Sequence, residues 1–176
     1  MKCPRCGLAE RASTPRCPGC GFSIEALDRA LGDPPARAGA LSDEAGLLSE
    51  YERMALGARI SAWSQRAGGE IAVATVATTR QVSPSEYAFW LFNRWRLAAD
   101  DGRGLLLLLA LHEQRVEIEA GYGWEDALGD LATGQALDRH VLPLLRERDY
   151  AAALAAAVDA LGALVAPDAP GDEGAG

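Results

Sequence analysis

The spacing of apolar and polar residues changes several times along this chain, and each change predicts an element. Ile71 to Thr78 is apolar on both faces, as expected of a central strand covered on two sides. Leu105 to Leu111 is a second apolar run, best read as a buried strand. Val116, Ile118 and Ala120 then alternate with Glu117 and Glu119, the period of a half-buried strand. His112, Glu113, Gln114 and Arg115 separate these last two runs, and so short a connection predicts an antiparallel hairpin. Helical spacing fills the intervals. Leu47, Tyr51, Met54, Ala58 and Ala62 predict the core face of one helix, with Ser42 as N-cap and Asp43 and Glu44 in its first turn. Ser83-Pro84-Ser85-Glu86 is a capping box with proline at the first helical position, and Ala88, Leu91, Phe92 and Trp95 follow on one stripe. Thr133 to Leu145 and Tyr150 to Val165 read as two further helices, with Pro143 bending or ending the first. The order helix, strand, helix, strand, strand, helix, helix predicts an α/β domain, a mixed sheet with helices on both faces.

The N-terminal residues follow a different logic. Cys3-Pro4-Arg5-Cys6-Gly7 and Cys17-Pro18-Gly19-Cys20-Gly21 are near-copies of one turn, each with two residues between thiols and a glycine after the second. Two such turns present four thiolates to one ion, so Cys3, Cys6, Cys17 and Cys20 predict a closed, structural zinc site in a small ribbon. A pair of disulfides is the alternative, disfavoured in a chain that shows no export signal. A short helix from Ser23 to Leu31 completes residues 1–31. Gly32 to Ala40 loses all periodicity and reads as a linker. Residues 41–166 form the α/β domain, and 167–176, built of Gly, Pro, Ala and acid, read as a disordered tail.

Charge narrows the partners. The chain has 17 basic and 25 acidic side chains, a net charge of -8, which repels nucleic-acid phosphates and anionic membranes. Residues 1–40 carry six basic and four acidic side chains, so any polyanion contact would fall on the ribbon, where Arg5, Arg11 and Arg16 read as a solvated face rather than a nucleic-acid reader. Leu105 to Leu111 is far short of the roughly 20 residues of a membrane-spanning helix. Met1-Lys2 leads straight into a cysteine with no apolar signal region, which predicts the cytoplasm.

Phe92-Asn93-Arg94-Trp95, Asp101-Gly102-Arg103-Gly104, Leu105 to Leu109, Arg115-Val116-Glu117-Ile118-Glu119, Gly121-Tyr122-Gly123, Asp130, Pro143 and Asp149-Tyr150 follow one another in a specific order. In this pattern Trp95 to Leu154 resembles the TPM domain family, and the resemblance extends over most of residues 41 to 165. It implies an α/β/α sandwich, and for some members acid phosphatase activity or calcium binding. Two positions depart from the family pattern. Arg148 stands where glycine is usual, and Arg103 brings positive charge to a loop that commonly carries asparagine.

Asp100 and Asp101 enter one strand of the hairpin, while Glu125, Asp126 and Asp130 leave the other. A hairpin brings those two ends together, which makes the five residues a candidate calcium or magnesium site. Caps and arginine pairs are the competing reading of the same carboxylates. Trp63, Trp90, Trp95 and Trp124 read as core, Tyr122 as a packed aromatic, and His112 and His140 as isolated. The combined reading is a non-enzymatic, cytoplasmic binding, assembly or quality-control module with protein partners. A metal-assisted phosphatase, which the resemblance implies, and nucleic-acid binding through the ribbon are the alternatives.

Overall fold

The computed structural model describes residues 2–8, 15–97 and 101–166, so the expected disordered tail lies outside the described residues. Four strands, β1 (Leu41–Asp43), β2 (Glu70–Val76), β3 (Gly104–Ala110) and β4 (Arg115–Ala120), stand in that order in one sheet. The first three run parallel and β4 returns antiparallel, with Leu105 opposite Ala120 and Leu109 opposite Val116. The predicted hairpin and mixed sheet are both present. Among the described residues six helices accompany the strands: α1 (Ile24–Leu31), α2 (Glu50–Ala67), α3 (Pro84–Arg94), α4 (Asp130–His140), α5 (Leu142–Arg146) and α6 (Tyr150–Val165).

Alternation along the strands divides the core in two. Ile71, Val73, Leu105, Leu107 and Leu109 face α2, α4, α5 and α6, joined by Trp124 and the α6 residues Leu154, Val158 and Leu161. Ala72, Ala74, Val76, Leu106 and Leu108 face α3, whose Tyr87, Trp90 and Phe92 occupy the room that small alanines leave. Because β1, β2 and β3 step in one direction while α2 and α3 lie on opposite faces, the two crossovers have opposite hands. One of them is therefore the rare left-handed form.

Three expectations change. Ser42 does not cap a helix: it sits within β1, and its hydroxyl accepts the Ala38 N–H at 3.0 Å. Helix α2 starts seven residues later behind Ser49, whose capping box with Glu52 closes in both directions. That box, Ser49-Glu50-Tyr51-Glu52, was present in the sequence. The expected core stripe is also the wrong one. Tyr51 and Met54 are 81% and 71% exposed, and Ala58 and Ala62 are exposed with them, while Leu56, Ile60 and Ala67 are buried. Packing against α6 decides this. Gly162 leaves a notch that receives the Trp63 ring, whose Nε1 donates to Asp159 at 2.9 Å, and that fixes which side of α2 turns inward. Finally, the predicted helix from Thr133 to Leu145 is split at Val141, and Pro143 falls in the first turn of α5, where its missing N–H does no harm.

Glu117 and Glu119 lie on the side of β4 that α3 covers and are only partly exposed. Burial, then the neighbouring Glu117, pushes the Glu119 carboxyl up to about 8.

Candidate metal centre and acidic rim

Two knuckles of the same shape build the cysteine centre. In the first, Gly7 N–H donates to Cys3 O and Cys3 N–H to Leu8 O, both at 2.8 Å; in the second, Gly21 N–H donates to Cys17 O and Cys17 N–H to Phe22 O, also at 2.8 Å. Gly7 and Gly21 close the turns at φ 73° and 74°, a region where a side chain would strain the backbone. The knuckles face each other. Cys3 Sγ lies 3.7 Å from Cys20 Sγ, Cys6 Sγ lies 3.6 Å from Cys17 Sγ, and all four sulfurs fall within 4.8 Å of one another. Disulfide sulfurs would sit ~2.05 Å apart. Four sulfurs on a tetrahedron around zinc, each ~2.3 Å from the ion, would sit ~3.8 Å apart. The spacing fits the second geometry. At Cys20 the Phe22 N–H favours the thiolate, but burial and the other three sulfurs outweigh it and push the thiol up to about 12. Four thiolates so close together need a cation between them, and the quartet can hold a metal such as zinc.

The centre is fastened to α3. Arg5 Nε donates to Glu86 Oε1 at 2.7 Å and its guanidinium lies 5.4 Å over the Phe22 ring. Ser85 Oγ donates to Pro4 O at 3.2 Å, and Phe22 meets Phe89 edge-on at 5.5 Å. Arg5 is therefore engaged rather than merely solvated; Arg11 lies outside the described residues. Burial pushes the Glu86 carboxyl up, but the Ser83 N–H, Arg5 and the Ser83 hydroxyl together hold it below its ordinary range. Leu27 and Leu31 of α1 are buried, and Asp28 accepts Trp90 Nε1 at 2.9 Å and Arg94 Nε at 2.8 Å. Residues 32–40, expected as a linker, also lie against the α/β domain. Pro35 O accepts Trp95 Nε1 at 2.9 Å, Arg37 pairs with Glu70 at 2.5 Å, and Ala40 O accepts Val73 N–H at 2.8 Å.

The acidic rim forms where the hairpin ends meet. Gly123 N–H donates to Gly102 O at 3.0 Å and Gly121 N–H to Gly104 O at 2.9 Å. The glycines serve this contact. A Cβ on Gly102 would lie 2.9 Å from Gly123 N, and one on Gly123 would lie 2.7 Å from Arg103 Cγ. Asp101 turns to its neighbour: its carboxylate accepts Arg103 N–H at 2.9 Å and Arg103 Nε at 2.7 Å, and these bonds hold it below the usual carboxylate range. Glu125 is partly buried and Asp126 exposed. Asp130 is the first residue of α4, with no side chain described, and Asp100 lies outside the described residues. Among the described residues, the four cysteines are the one group of three or more metal-ligand side chains drawn together. Trp124 is buried in the core and Tyr122 is 48% exposed, so the tyrosine is not the packed aromatic of the two.

At the opposite end of the parallel strands, Asp43 does what the sequence did not disclose. Its carboxylate accepts Leu47 N–H at 3.1 Å, Leu48 N–H at 3.0 Å and the Thr75 hydroxyl, tying the end of β1 to β2 and to the approach of α2. With Arg53 also 3.9 Å away, this buried carboxylate has four partners and is a structural staple.

Comparison with known proteins agrees with this fold. The family model described as the TPM domain matches residues 41–164. The N-terminal domain of a protein from P. gingivalis is similar at 28% identity and TM-score 0.65, covering 72% of this chain and 81% of that one. An N-terminal domain from Corynebacterium glutamicum is 21% identical, with TM-score 0.58 over 78% of this chain and 87% of that one. The BA42 protein of the psychrophilic bacterium Bizionia argentinensis is 17% identical, with TM-score 0.60 over 67% and 81%. The last two show the fold alone. No curated protein matches the chain.

Proposed function

The chain belongs to the TPM domain family, and from that premise we propose that it is a zinc-stabilised binding or assembly module that engages a protein partner in a reducing compartment such as the cytoplasm. Four protein thiolates would saturate a tetrahedral zinc ion and leave no position for substrate, so the ion would hold the two knuckles and supply no catalytic step. Cys3, Cys6, Cys17 and Cys20 are its ligands.

The observation that carries a protein partner is the outward face of α2. Tyr51 and Met54 are the large apolar residues of that face, 81% and 71% exposed, and Ala55, Ala58 and Ala62 continue the stripe along the helix. An ordered helix that shows contiguous apolar side chains on its polar side is a surface suited to another protein. No helix among the described residues is long and apolar enough to cross a membrane.

Purified chain is expected to carry one zinc per molecule by elemental analysis. A photo-reactive residue at position 54 should crosslink one partner in cells, and Tyr51→Lys should abolish that crosslink without changing the unfolding midpoint. Turnover of a generic phosphate ester, lost in Asp101→Asn with the fold retained, would overturn the reading in favour of a hydrolase.

A further inference from the structure

A cleft of about 560 Å³ opens at the end of the sheet where β2 and β3 begin, between the last turns of α2, residues 37–40, the turn after α3 and the 101–103 loop. That size falls in the range of small-molecule sites, roughly 300–1,000 Å³. Three arginines line it, each from a different segment: Arg37, Arg96 and Arg103. Two of them already hold carboxylates, Arg37 that of Glu70 and Arg103 that of Asp101. Arg96 holds none: among the described residues its guanidinium has no hydrogen bond or ion pair.

The backbone singles out Arg96 again. Leu97 N–H donates to Phe92 O at 3.2 Å and Arg96 N–H to Asn93 O at 3.1 Å, which is the Schellman ending of α3. Arg96 occupies its left-handed seat at φ 55°, where glycine would be unstrained. An arginine is thus held in a strained position at the rim of a cleft with its planar fork unengaged. Also lining the cleft, the Ser64 hydroxyl accepts Ile71 N–H at 3.1 Å and keeps its own proton for donation, while Ala40 and Ile71 add apolar wall.

We infer that this cleft binds a small organic carboxylate, its charged end in the Arg96 fork with Ser64 as second donor and its apolar body against Ala40 and Ile71. The charge balance selects the class. Among the described residues, three arginines less Glu70 and Asp101 leave one net positive charge, which matches a monoanion, whereas a phosphate dianion would meet two fixed carboxylates of its own sign. The inference stands apart from the zinc module and its partner, since it uses neither the cysteines nor the α2 stripe.

Benzoate titrated into the isotope-labelled, zinc-loaded full chain tests it by NMR. Saturable shifts at Ser64, Gly69 and Arg96 are expected, with inorganic phosphate binding more weakly. Arg96→Gly should weaken benzoate at least about tenfold, the loss of one charge-assisted pairing, while raising the unfolding midpoint by relieving the left-handed arginine. Unsaturable shifts, benzoate affinity unchanged in Arg96→Gly, or tighter binding of phosphate than benzoate would each overturn the assignment.

Discussion

The two faces of the sheet are closed by different means. One is covered by α2, α4, α5 and α6, all from residues 50–165, through a continuous apolar core. The other is covered by α3, and α3 is itself overlaid by Phe22, Leu27 and Leu31 and by the Cys3 and Cys17 knuckles. The first face needs only its own helices. The second borrows its outer layer from a segment too short to build a core, whose order would rest on the proposed metal ion. Stability on the α3 side should therefore depend on the thiols, and stability on the α2 side should not.

Cys17→Ser, or chelation of zinc, is the largest test of that asymmetry. It should cost on the order of several kcal/mol on the α3 side, because a structural zinc site contributes directly to folding. Hydrogen exchange should quicken across α1 and α3 while α2 and α6 stay protected. Equal loss on both faces would mean that the metal supports the whole domain. The reverse experiment is Gly162→Ala. Alanine suits a helix, but its Cβ would lie 2.4 Å from Trp63 Cδ2, and that ring is held by Asp159 on one side and by Arg66, 4.3 Å above it, on the other. Overpacking should win by about 1–3 kcal/mol, with zinc content unchanged.

How much of this the sequence disclosed follows from how local each signal was. The Ser83 capping box, the cysteine turns and the leucine strand each depend on neighbours within a few residues, and each stands where it was expected. The inward face of α2 depends on Gly162, a hundred residues away, and alanines and a tyrosine at helical spacing pointed to the wrong side. Strand β1 is three residues long and carries no period of its own; only its pairing with Val73 to Thr75 makes it a strand. At the acidic rim, the hairpin did bring the two loops into contact, but Arg103 lies within reach of Asp101, and spacing alone cannot tell a ligand from the partner of an adjacent arginine.

Arg148 gives a smaller test, on the α2 side. The resemblance favours glycine at this position, and the structure supplies the reason: the residue lies at φ 59° in the turn between α5 and α6. Arg148→Gly should stabilise the protein by about 1 kcal/mol. Since the turn lies on the metal-independent face, the gain should be the same with and without zinc, as judged by paired thermal melts. A gain seen only in the zinc-loaded chain would show that the faces are coupled through the sheet.

The smallest effect lies at the join between ribbon and domain. Arg5 and Glu86 have side chains 49% and 10% exposed, so their pairing should contribute only about 0.5 kcal/mol in a double-mutant cycle of Arg5→Met and Glu86→Gln. Its pH dependence is more informative than its size. Glu86 is held below its ordinary range, so its contribution is present above the unfolded-state value of about 4.3 and lost as pH falls through the folded value. Glu119, on the same face, has the opposite sign: raised to about 8, it contributes less as pH rises from its unfolded value through 8. The cycle therefore belongs in a Glu119→Gln background, where the opposing Glu119 titration no longer overlaps that of Glu86. A coupling that never falls as the solution is acidified would mean that Phe22 packing, rather than the ion pair, seats Arg5 on α3.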